Sequence, residues 1–437
     1  MFGALRRRVN SLKVQQLIKL KDFCTARNLN KSPNEVELLG EKYATDEWTN
    51  ITPKIIEKLG RNLHTKKHHP LSHVRQRIVN YFYSHYRNKC GNPLFSVFDN
   101  QKPIVSVQQN FESLLIPKDH PSRSKTDCYY INNETLLRAH TTAHQSELIS
   151  MGLNNFLVIG DVYRRDEIDA THYPIFHQVD AVRLCNAEEL FENVSNPEGL
   201  ELFENRGKES DEKQAVHALE ATKIMEHQLK RDLVGLAQAL FGKDVKCRWV
   251  DQYFPFTHPS WELEVFHNNQ WLEVLGCGIM RQEILKNSGV NDRIGWAFGL
   301  GLERLAMCLY NIPDIRLFSS TDSGFLSQFN FDDPSTPVTY KPISVYPQCA
   351  NDLSFWLPEN REFSPNDFYD LARDIGGDVI EQISLVDNFT HSKTKKTSHC
   401  YRIIYRHMER TLTQKEVTEI HTEIGRNAAK ILNVTVR

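Results

Sequence analysis

Apolar residues recur every three or four positions in several stretches of the chain, and this spacing predicts amphipathic helices. The clearest example is His73–Tyr86, where one face carries only large apolar side chains. A second apolar stripe starts at Met225 and stops at Gly242, a residue typical of helix ends. A shorter helix is predicted over Asn50–Gly60. All three are interpreted as helices of a folded core.

The pattern changes to period two after Trp261. Apolar Trp261, Leu263 and Val265 alternate with Glu262 and Glu264, as expected for a strand with one buried face. A polar turn and a second apolar run follow. This stretch therefore predicts a β-hairpin.

The last hundred residues follow the order β-α-β-β-α-β. Ser364 and Pro365 mark the start of the first predicted helix, which stops at Gly376. Thr413 with Glu416 forms a capping-box sequence at the start of the second. This order predicts a ferredoxin-like domain. The proline-rich stretch before it predicts a linker.

Composition indicates a globular protein of two or three domains. The 437 residues are 40% hydrophobic and 25% charged, and the net charge is -2. No window approaches the roughly 20 apolar residues that span a bilayer, so no membrane partner is expected. The nine cysteines form no CxxC pair, which argues against a thiolate metal site and favours a reducing compartment.

Charge is unevenly distributed along the chain. Residues 187–213 hold nine acidic and three basic residues, which predicts a solvated connector. Residues 391–437 hold ten basic and four acidic residues, so this part of the chain is a candidate nucleic-acid surface. The first 31 residues hold eight basic residues and one acid, the pattern of an organellar presequence. We predict that 1–34 is a mitochondrial transit peptide; the alternative is a solvated basic arm.

Two motifs carry the most specific chemical signal. The first runs from Arg164 through His172 and Phe176 to Asp180, and the second is the glycine-rich turn Gly299–Leu305. Together they resemble motifs 2 and 3 of the class II aminoacyl-tRNA synthetases. The resemblance implies an α+β fold with an antiparallel sheet flanked by helices.

That resemblance also implies an ATP site. Arg164 and Arg304 would act as catalytic residues that clamp the triphosphate, because guanidinium groups match phosphate oxygens. The adenine would stack on Phe176. The predicted ATP-binding residues are Arg164, Thr171, His172, Tyr173, Phe176 and Arg304. Hard oxygen ligands suit Mg²⁺, and Glu262 and Glu264 are its candidates, although a solvated strand face is equally consistent with them.

A third set of residues points to the amino acid. The sequences Phe254-Pro255-Phe256, Ala297-Phe298 and Thr142-Ala143-His144-Gln145 resemble the phenylalanyl-tRNA synthetases. In that family an aromatic box receives the substrate ring. The chain differs from the family pattern at Asp180, a position where family members commonly carry Glu. The resemblance implies phenylalanine contacts from Thr142, Ala143, His144, Gln145, Gln178, Val179, Asp180, Phe254, Phe256, Glu273, Ala297 and Phe298.

The whole chain resembles the single-chain mitochondrial type of that family. We therefore expect a catalytic domain over 35–320, a linker over 321–342 and a ferredoxin-like anticodon-binding domain over 343–437. The expected partners are tRNA(Phe), L-phenylalanine and ATP, and the expected state is a monomer in the mitochondrial matrix. Two alternatives remain open, a class II synthetase of other specificity and a non-catalytic paralogue that only binds RNA. His69 and His73 have the spacing of a metal pair, but buried or capping histidines are commoner.

Overall fold

The computed structural model describes residues 35–320, 323–342, 346–359, 362–392, 394–407 and 409–437. The predicted transit peptide at 1–34 lies outside the described residues. The fold is α+β, as predicted, with a larger core domain followed by a smaller tail domain. Within the described ranges, no helix is both long and apolar enough to cross a membrane.

Strands form the centre of each domain. In chain order they are β1 (Glu35–Leu38), β2 (Glu41–Ala44), β3 (Ser96–Phe98), β4 (Ile104–Ser106), β5 (Thr135–Leu137), β6 (Asn155–Tyr163), β7 (Ile175–Cys185), β8 (Cys247–Phe254), β9 (Thr257–His267), β10 (Gln270–Met280), β11 (Ile294–Gly301), β12 (Cys349–Trp356), β13 (Ile380–Thr390), β14 (Thr397–Tyr405) and β15 (Thr435–Val436).

Helices flank these strands. In chain order the described α-helices are α1 (Pro53–Ile56), α2 (Pro70–His85), α3 (Val107–Asn110), α4 (Gln145–Ser150), α5 (Ala187–Phe191), α6 (Leu219–Phe241), α7 (Gln282–Asn287), α8 (Leu302–Tyr310), α9 (Ser323–Ser327), α10 (Pro365–Gly376) and α11 (Gln414–Ile431). Short 3-10 helices occur at Leu63–Thr65, Glu112–Leu114, Pro121–Arg123, Thr141–His144, Ile315–Ser319 and Gly377–Val379.

The core domain is built on a seven-stranded sheet in the order β3-β6-β7-β11-β10-β9-β8. All neighbours are antiparallel except β3 and β6, which run parallel. The predicted hairpin is confirmed as β9 and β10, and Trp261, Leu263 and Val265 are buried on its core face. The two long predicted helices are confirmed as α2 and α6, each packing an apolar stripe into the core.

Two predicted segments differ in the structure. Only one helical turn, α1, forms within Asn50–Gly60, because an isolated short helix has too few hydrogen bonds to offset its nucleation cost. The acidic stretch 187–213 is not wholly solvated. It begins with the capped helix α5, and Leu190, Phe191 and Leu202 are buried against the core.

The tail confirms the ferredoxin-like prediction. Its four strands have the order β13-β14-β12-β15, and α10 and α11 pack on them. The Thr413 and Glu416 capping box is present at α11. Ser364 does occupy the N-cap position of α10, but its side chain makes no capping hydrogen bond.

The tail packs against the loop between β6 and β7, which spans residues 164–174 and is called the β6–β7 loop. Ile168 of this loop is buried within the tail's hydrophobic core. Its carbonyl oxygen accepts a hydrogen bond of 2.9 Å from the backbone amide of Ile383. The segment before the tail also packs on the core domain, since Phe325 and Phe329 are buried there. The two domains are therefore joined by packed side chains as well as by the chain itself.

Candidate active site

A cavity of about 670 Å³ opens on one face of the core sheet. Its walls come from β7, the β8–β9 turn, β10 and β11, with the segment around the Thr141–His144 turn on the opposite side. The predicted residues that line it are Thr142, Gln145, Arg164, Gln178, Asp180, Phe254, Phe256, Glu262, Glu273, Ala297 and Phe298. Most of the predicted phenylalanine site is thus gathered in one place.

Strand alternation decides which residues of β7 reach the cavity. Gln178 and Asp180 share the cavity face because they are two positions apart. Val179 lies between them on the opposite face and is fully buried in the main hydrophobic core. Its predicted contact with phenylalanine is therefore corrected: Val179 is a core residue.

Asp180 forms the polar end of the cavity. Its Oδ2 accepts hydrogen bonds from the Thr142 hydroxyl and, at 3.3 Å, from the Gln145 amide. A β-carbon added at Gly299 would lie 2.8 Å from Asp180 Oδ1, so the motif glycine leaves room for this carboxylate. Burial raises the pKa of Asp180 to about 6, while its hydrogen bonds act in the opposite direction.

The 3-10 turn before α4 directs the side chains of the Thr142–Gln145 stretch to different surroundings. Thr142 and Gln145 are three positions apart and face the cavity together. Ala143 is buried in a neighbouring apolar cluster. His144 faces Arg138, whose Nη1 lies 3.0 Å from His144 Nε2, and burial together with this cation lowers the pKa of His144 to about 3. Ala143 and His144 thus do not line the cavity, and their contacts with the substrate stay a prediction.

The apolar end of the cavity is aromatic. The rings of Phe254 and Phe256 stack with centroids 5.8 Å apart. A β-carbon at Gly276 would lie 2.8 Å from Phe254 Cζ, so this glycine makes space for the ring. Ala297 completes the wall, whereas Phe298 borders the cavity but is buried in the main hydrophobic core against Phe82 and Trp296. A flat apolar slot with a carboxylate at one end suits an aromatic amino acid.

Of the two predicted catalytic arginines, Arg164 lines the cavity and Arg304 does not. The Arg164 guanidinium is 5.2 Å from the centre of the Phe176 ring, and its Nε donates to the Ala139 carbonyl at 2.7 Å. Arg304 is near the start of α8 and pairs with Glu273 at 3.1 Å. Both Arg304 and Glu273 are about half exposed. Because Glu273 lines the cavity, this ion pair connects Arg304 to the cavity edge.

Three predicted ATP contacts lie elsewhere in the structure. Thr171 and His172 hydrogen-bond to Asp169 within the β6–β7 loop. The Tyr173 hydroxyl donates to Asp378 of the tail at 2.6 Å. Thr171, His172 and Tyr173 do not line the cavity, because the loop turns toward the tail at these residues, and their ATP contacts stay a prediction.

The predicted magnesium ligands have different surroundings. Glu262 lines the cavity, and its Oε1 accepts from the Gln252 amide at 2.9 Å. Glu264, two positions along β9, forms an ion pair with Arg248 at 2.5 Å and does not line the cavity. Glu273 on the neighbouring strand does line it. Carboxylate oxygens at Glu262 and Glu273 thus fit a hard cation better than the pair Glu262 and Glu264 does.

Sequence reasoning missed several residues of the site. His140 lines the cavity, and burial lowers its pKa to about 3, so its ring is neutral. Glu303 of the second motif is buried and binds His177 twice, at 2.6 Å to Nδ1 and 2.7 Å to the backbone amide. This contact ties α8 to β7. If residues 138–145 are taken as helical, His144 lies on a different face from Thr142 and Gln145, so this difference could have been predicted. Nothing in the sequence identifies His140 as a site residue.

Comparisons with known proteins agree with this geometry. The family described as "tRNA synthetases class II core domain (F)" matches residues 54–194 and 215–329. The family described as "Ferredoxin-fold anticodon binding domain" matches residues 344–437. Both domains predicted from the sequence are therefore confirmed.

Relatives at high identity cover nearly the whole chain. The "Probable phenylalanine--tRNA ligase, mitochondrial" of Drosophila melanogaster is 62% identical over 425 residues, or 93% of each chain. The "Phenylalanine--tRNA ligase, mitochondrial" of Mus musculus is 54% identical over 402 residues, 92% of this chain and 89% of that one. The "Phenylalanine--tRNA ligase alpha subunit" of Coxiella burnetii is 33% identical over 69% of this chain. The chain belongs to the phenylalanine–tRNA ligase family of class II aminoacyl-tRNA synthetases, and within it to the type named mitochondrial, in which a catalytic core precedes a ferredoxin-fold domain.

Proposed function

We propose that this protein activates L-phenylalanine with ATP and transfers the phenylalanyl group to the 2′-hydroxyl of the terminal adenosine of tRNA(Phe). Family membership supports the reaction. The observation that carries the substrate is the cavity itself, in which a stacked Phe254 and Phe256 wall ends at the buried carboxylate of Asp180.

The side chains around the slot match the parts of phenylalanine. The ring fits the apolar end, where Ala297 limits the depth. The ammonium group fits Asp180, whose hydrogen-bond donors Thr142 and Gln145 are uncharged. The side-chain oxygen of Gln178 is buried with no hydrogen-bond partner in the described part of the protein, so it too is available to a donor on the substrate. A tyrosine hydroxyl would meet only apolar groups at the deep end, which disfavours it.

The first step needs alignment and charge stabilisation rather than a protein nucleophile. A carboxylate oxygen of phenylalanine attacks the α-phosphorus of ATP, the bond to the bridging oxygen breaks, and pyrophosphate leaves. Arg164 lies between the slot and Phe176, where its guanidinium can bind the α-phosphate. Arg304 is more exposed and is placed for the outer phosphates once its pairing with Glu273 is exchanged. Phe176 would stack against adenine.

Magnesium would be held at the Glu262 and Glu273 side of the cavity. When bound there, it would neutralise charge on the phosphate oxygens. Glu273 already neutralises Arg304, so it is shared between these two roles.

In the second step the 2′-hydroxyl of the terminal adenosine attacks the activated carbonyl carbon, and AMP leaves with the bonding electrons. The tail would hold the anticodon end of tRNA(Phe), which the ten basic and four acidic residues of its last part, 391–437, favour. We further propose that the protein acts as a monomer in the mitochondrial matrix. The mitochondrial relatives support this location.

The proposal is tested by ATP–pyrophosphate exchange with each of the twenty amino acids and by charging of tRNA(Phe). We expect phenylalanine to give the largest exchange, and charging to require both ATP and tRNA(Phe). Exchange with another amino acid would identify a synthetase of different specificity. Binding of RNA without exchange for any amino acid would identify a non-catalytic paralogue, and either result overturns the proposal. Sedimentation of the purified protein checks the monomer.

A further inference from the structure

Tyr253 is a large aromatic residue at the mouth of the cavity, and the reaction as described so far gives it no role. It lines the cavity next to Phe254, yet it is 67% exposed. Phe254, by contrast, points inward and packs over Gly276. Two adjacent aromatic residues thus face different environments, one the slot and one its open rim.

Tyr253 lies in β8 opposite a break in the strand pairing. The register between β8 and β9 shifts between Gln252 and Phe254, and the extra residue is on β9, where His258 and Pro259 oppose Tyr253. The Gln252 side chain secures the backbone here, since its oxygen accepts from the Tyr253 amide at 3.0 Å and its nitrogen donates to Glu262 at 2.9 Å. The exposed ring is therefore carried by a hydrogen-bonded strand rather than by a loose loop.

The other sides of the cavity are already assigned by the proposed function. The apolar end takes the phenylalanine ring, and the Arg164 and Phe176 side takes ATP. The terminal adenosine of the tRNA must still reach the carbonyl carbon of the bound adenylate. An exposed aromatic face on the remaining rim offers a stacking surface for its base.

We propose that Tyr253 is a positioning residue for the tRNA, on whose ring the terminal adenine stacks while the ribose 2′-hydroxyl approaches the phenylalanyl carbonyl. This inference rests on the proposed function and extends it to the second substrate. It assigns Tyr253 to the transfer step, in contrast to Phe254 and Phe256, which serve the amino acid in both steps.

The test compares two activities of the full-length protein for Tyr253→Ala, Tyr253→Phe and Tyr253→Trp. For Tyr253→Ala we expect kcat/KM for tRNA(Phe) in charging to fall about tenfold relative to phenylalanine-dependent exchange, a change of about 1.4 kcal/mol. Tyr253→Phe and Tyr253→Trp keep a ring and should retain charging. Phe266→Ala is the matched control, because Phe266 is an exposed aromatic residue of the same sheet that does not line the cavity.

A second measurement addresses the base directly. A tRNA(Phe) ending in cytidine presents a smaller ring for stacking, so the wild-type protein should discriminate against it more strongly than Tyr253→Ala does. Equal discrimination by both proteins overturns the proposal. Equal losses of exchange and charging in Tyr253→Ala would also overturn it and would assign the ring to the amino acid pocket. If the wild-type protein shows no phenylalanine-dependent exchange, the proposed function fails instead, so the two failures are distinguishable.

Discussion

Asp180 in the cavity and Asp370 in the interface between the domains are both buried carboxylates, but their partners differ in charge. Asp370 accepts hydrogen bonds from the Tyr129 hydroxyl at 2.7 Å, Arg165 at 2.5 Å and Arg373 at 3.1 Å. The hydrogen-bond donors of Asp180 are the uncharged Thr142 and Gln145. One carboxylate is neutralised by the protein, and the other is not.

The rest of the interface follows the pattern of Asp370. Asp378 of the tail binds both Lys58 at 2.8 Å and the Tyr173 hydroxyl at 2.6 Å. Arg373 also donates to two carbonyl oxygens of the β6–β7 loop. Buried charges that are paired in this way stabilise a fixed arrangement only while both partners remain.

Buried polar groups that are paired within the protein stabilise its structure, whereas those left without a charged partner are available to a ligand. In the interface, donors and acceptors meet each other across two domains. In the cavity, Asp180 has no directly bound cation and the Gln178 oxygen has no partner in the described ranges. A ligand ammonium would supply what the cavity lacks. Changes in the two regions should therefore affect different measurements.

The largest effect is expected for Arg164→Ala in the cavity. Loss of the guanidinium beside the proposed α-phosphate site should lower the exchange rate by a factor on the order of 10³, with little change in thermal stability. Pyrophosphate exchange at saturating phenylalanine measures it. Arg402→Ala is the control, because Arg402 forms an exposed ion pair with Asp352 in the tail. Similar exchange rates for the two variants would remove Arg164 from the chemistry.

The next effect is expected for Asp370→Ala in the interface. This change leaves Arg165 and Arg373 buried without their shared carboxylate, and it should lower the free energy of unfolding by about 3 kcal/mol. Chemical denaturation measures this loss. The exposed Asp352→Ala should have little effect by comparison. A stable Asp370→Ala protein would show that the interface tolerates an unpaired charge.

Ala297→Gly should change specificity without a large loss of stability. Removing one methyl group from the wall of the slot deepens it at the end of the substrate ring, so para-substituted phenylalanines should be admitted roughly tenfold better relative to phenylalanine. Exchange with a para-halogenated phenylalanine measures the ratio. Ala181→Gly removes a methyl group from a buried position of the adjacent strand and should leave the ratio unchanged. An unaltered ratio in Ala297→Gly would contradict the pocket assignment.

The smallest predicted effect is a pH dependence at Asp180. Burial raises the pKa of Asp180 from the usual 3.8 to about 6, so the folded protein binds a proton that the unfolded chain has already lost over this interval. The contribution of Asp180 to the free energy of unfolding is thus present at low pH and decreases as the pH rises through about 6. Phenylalanine binding has the opposite pH dependence, because only the ionised carboxylate of Asp180 attracts the ammonium group of the substrate. Between about pH 7.5 and 5.5, KM for phenylalanine in exchange should rise about fourfold.

Asp180→Asn provides the control for this titration. It should bind phenylalanine weakly at every pH and lack the rise in KM. A wild-type KM that stays constant across this range would show that the ammonium group is held elsewhere.

Local sequence was a good guide wherever periodicity and capping determine structure. The period-two run at Trp261–Val265 became β9, and the Thr413 and Glu416 pair caps α11. His69 and His73 were expected to be buried or capping residues, and each Nε2 lies within 3.0 Å of a backbone carbonyl oxygen. The strand pattern and the cap depend on neighbours within a few residues, whereas the partners of the two histidines, Phe318 and Phe329, are distant in the sequence.

Residues whose partners are distant in sequence were predicted less well. Tyr173 lies in the β6–β7 loop, and only the docked tail shows that its hydroxyl binds Asp378. His144 lies within a motif, but the 3-10 turn rotates it toward Arg138. The acidic stretch 187–213 has the composition of a connector, while its few apolar residues are buried by α6 and the core sheet.

The sequence by itself determined the family, the two domains and eleven of the residues that line the cavity, because motif order and strand alternation are properties of the chain. Tertiary structure decided which residues of each motif face the substrate and which support the fold. It separated Asp180 from Val179 and Thr142 from His144. The physical reason is that a side chain's role depends on which partner neutralises or leaves open its polar atoms, and those partners are brought together only by folding.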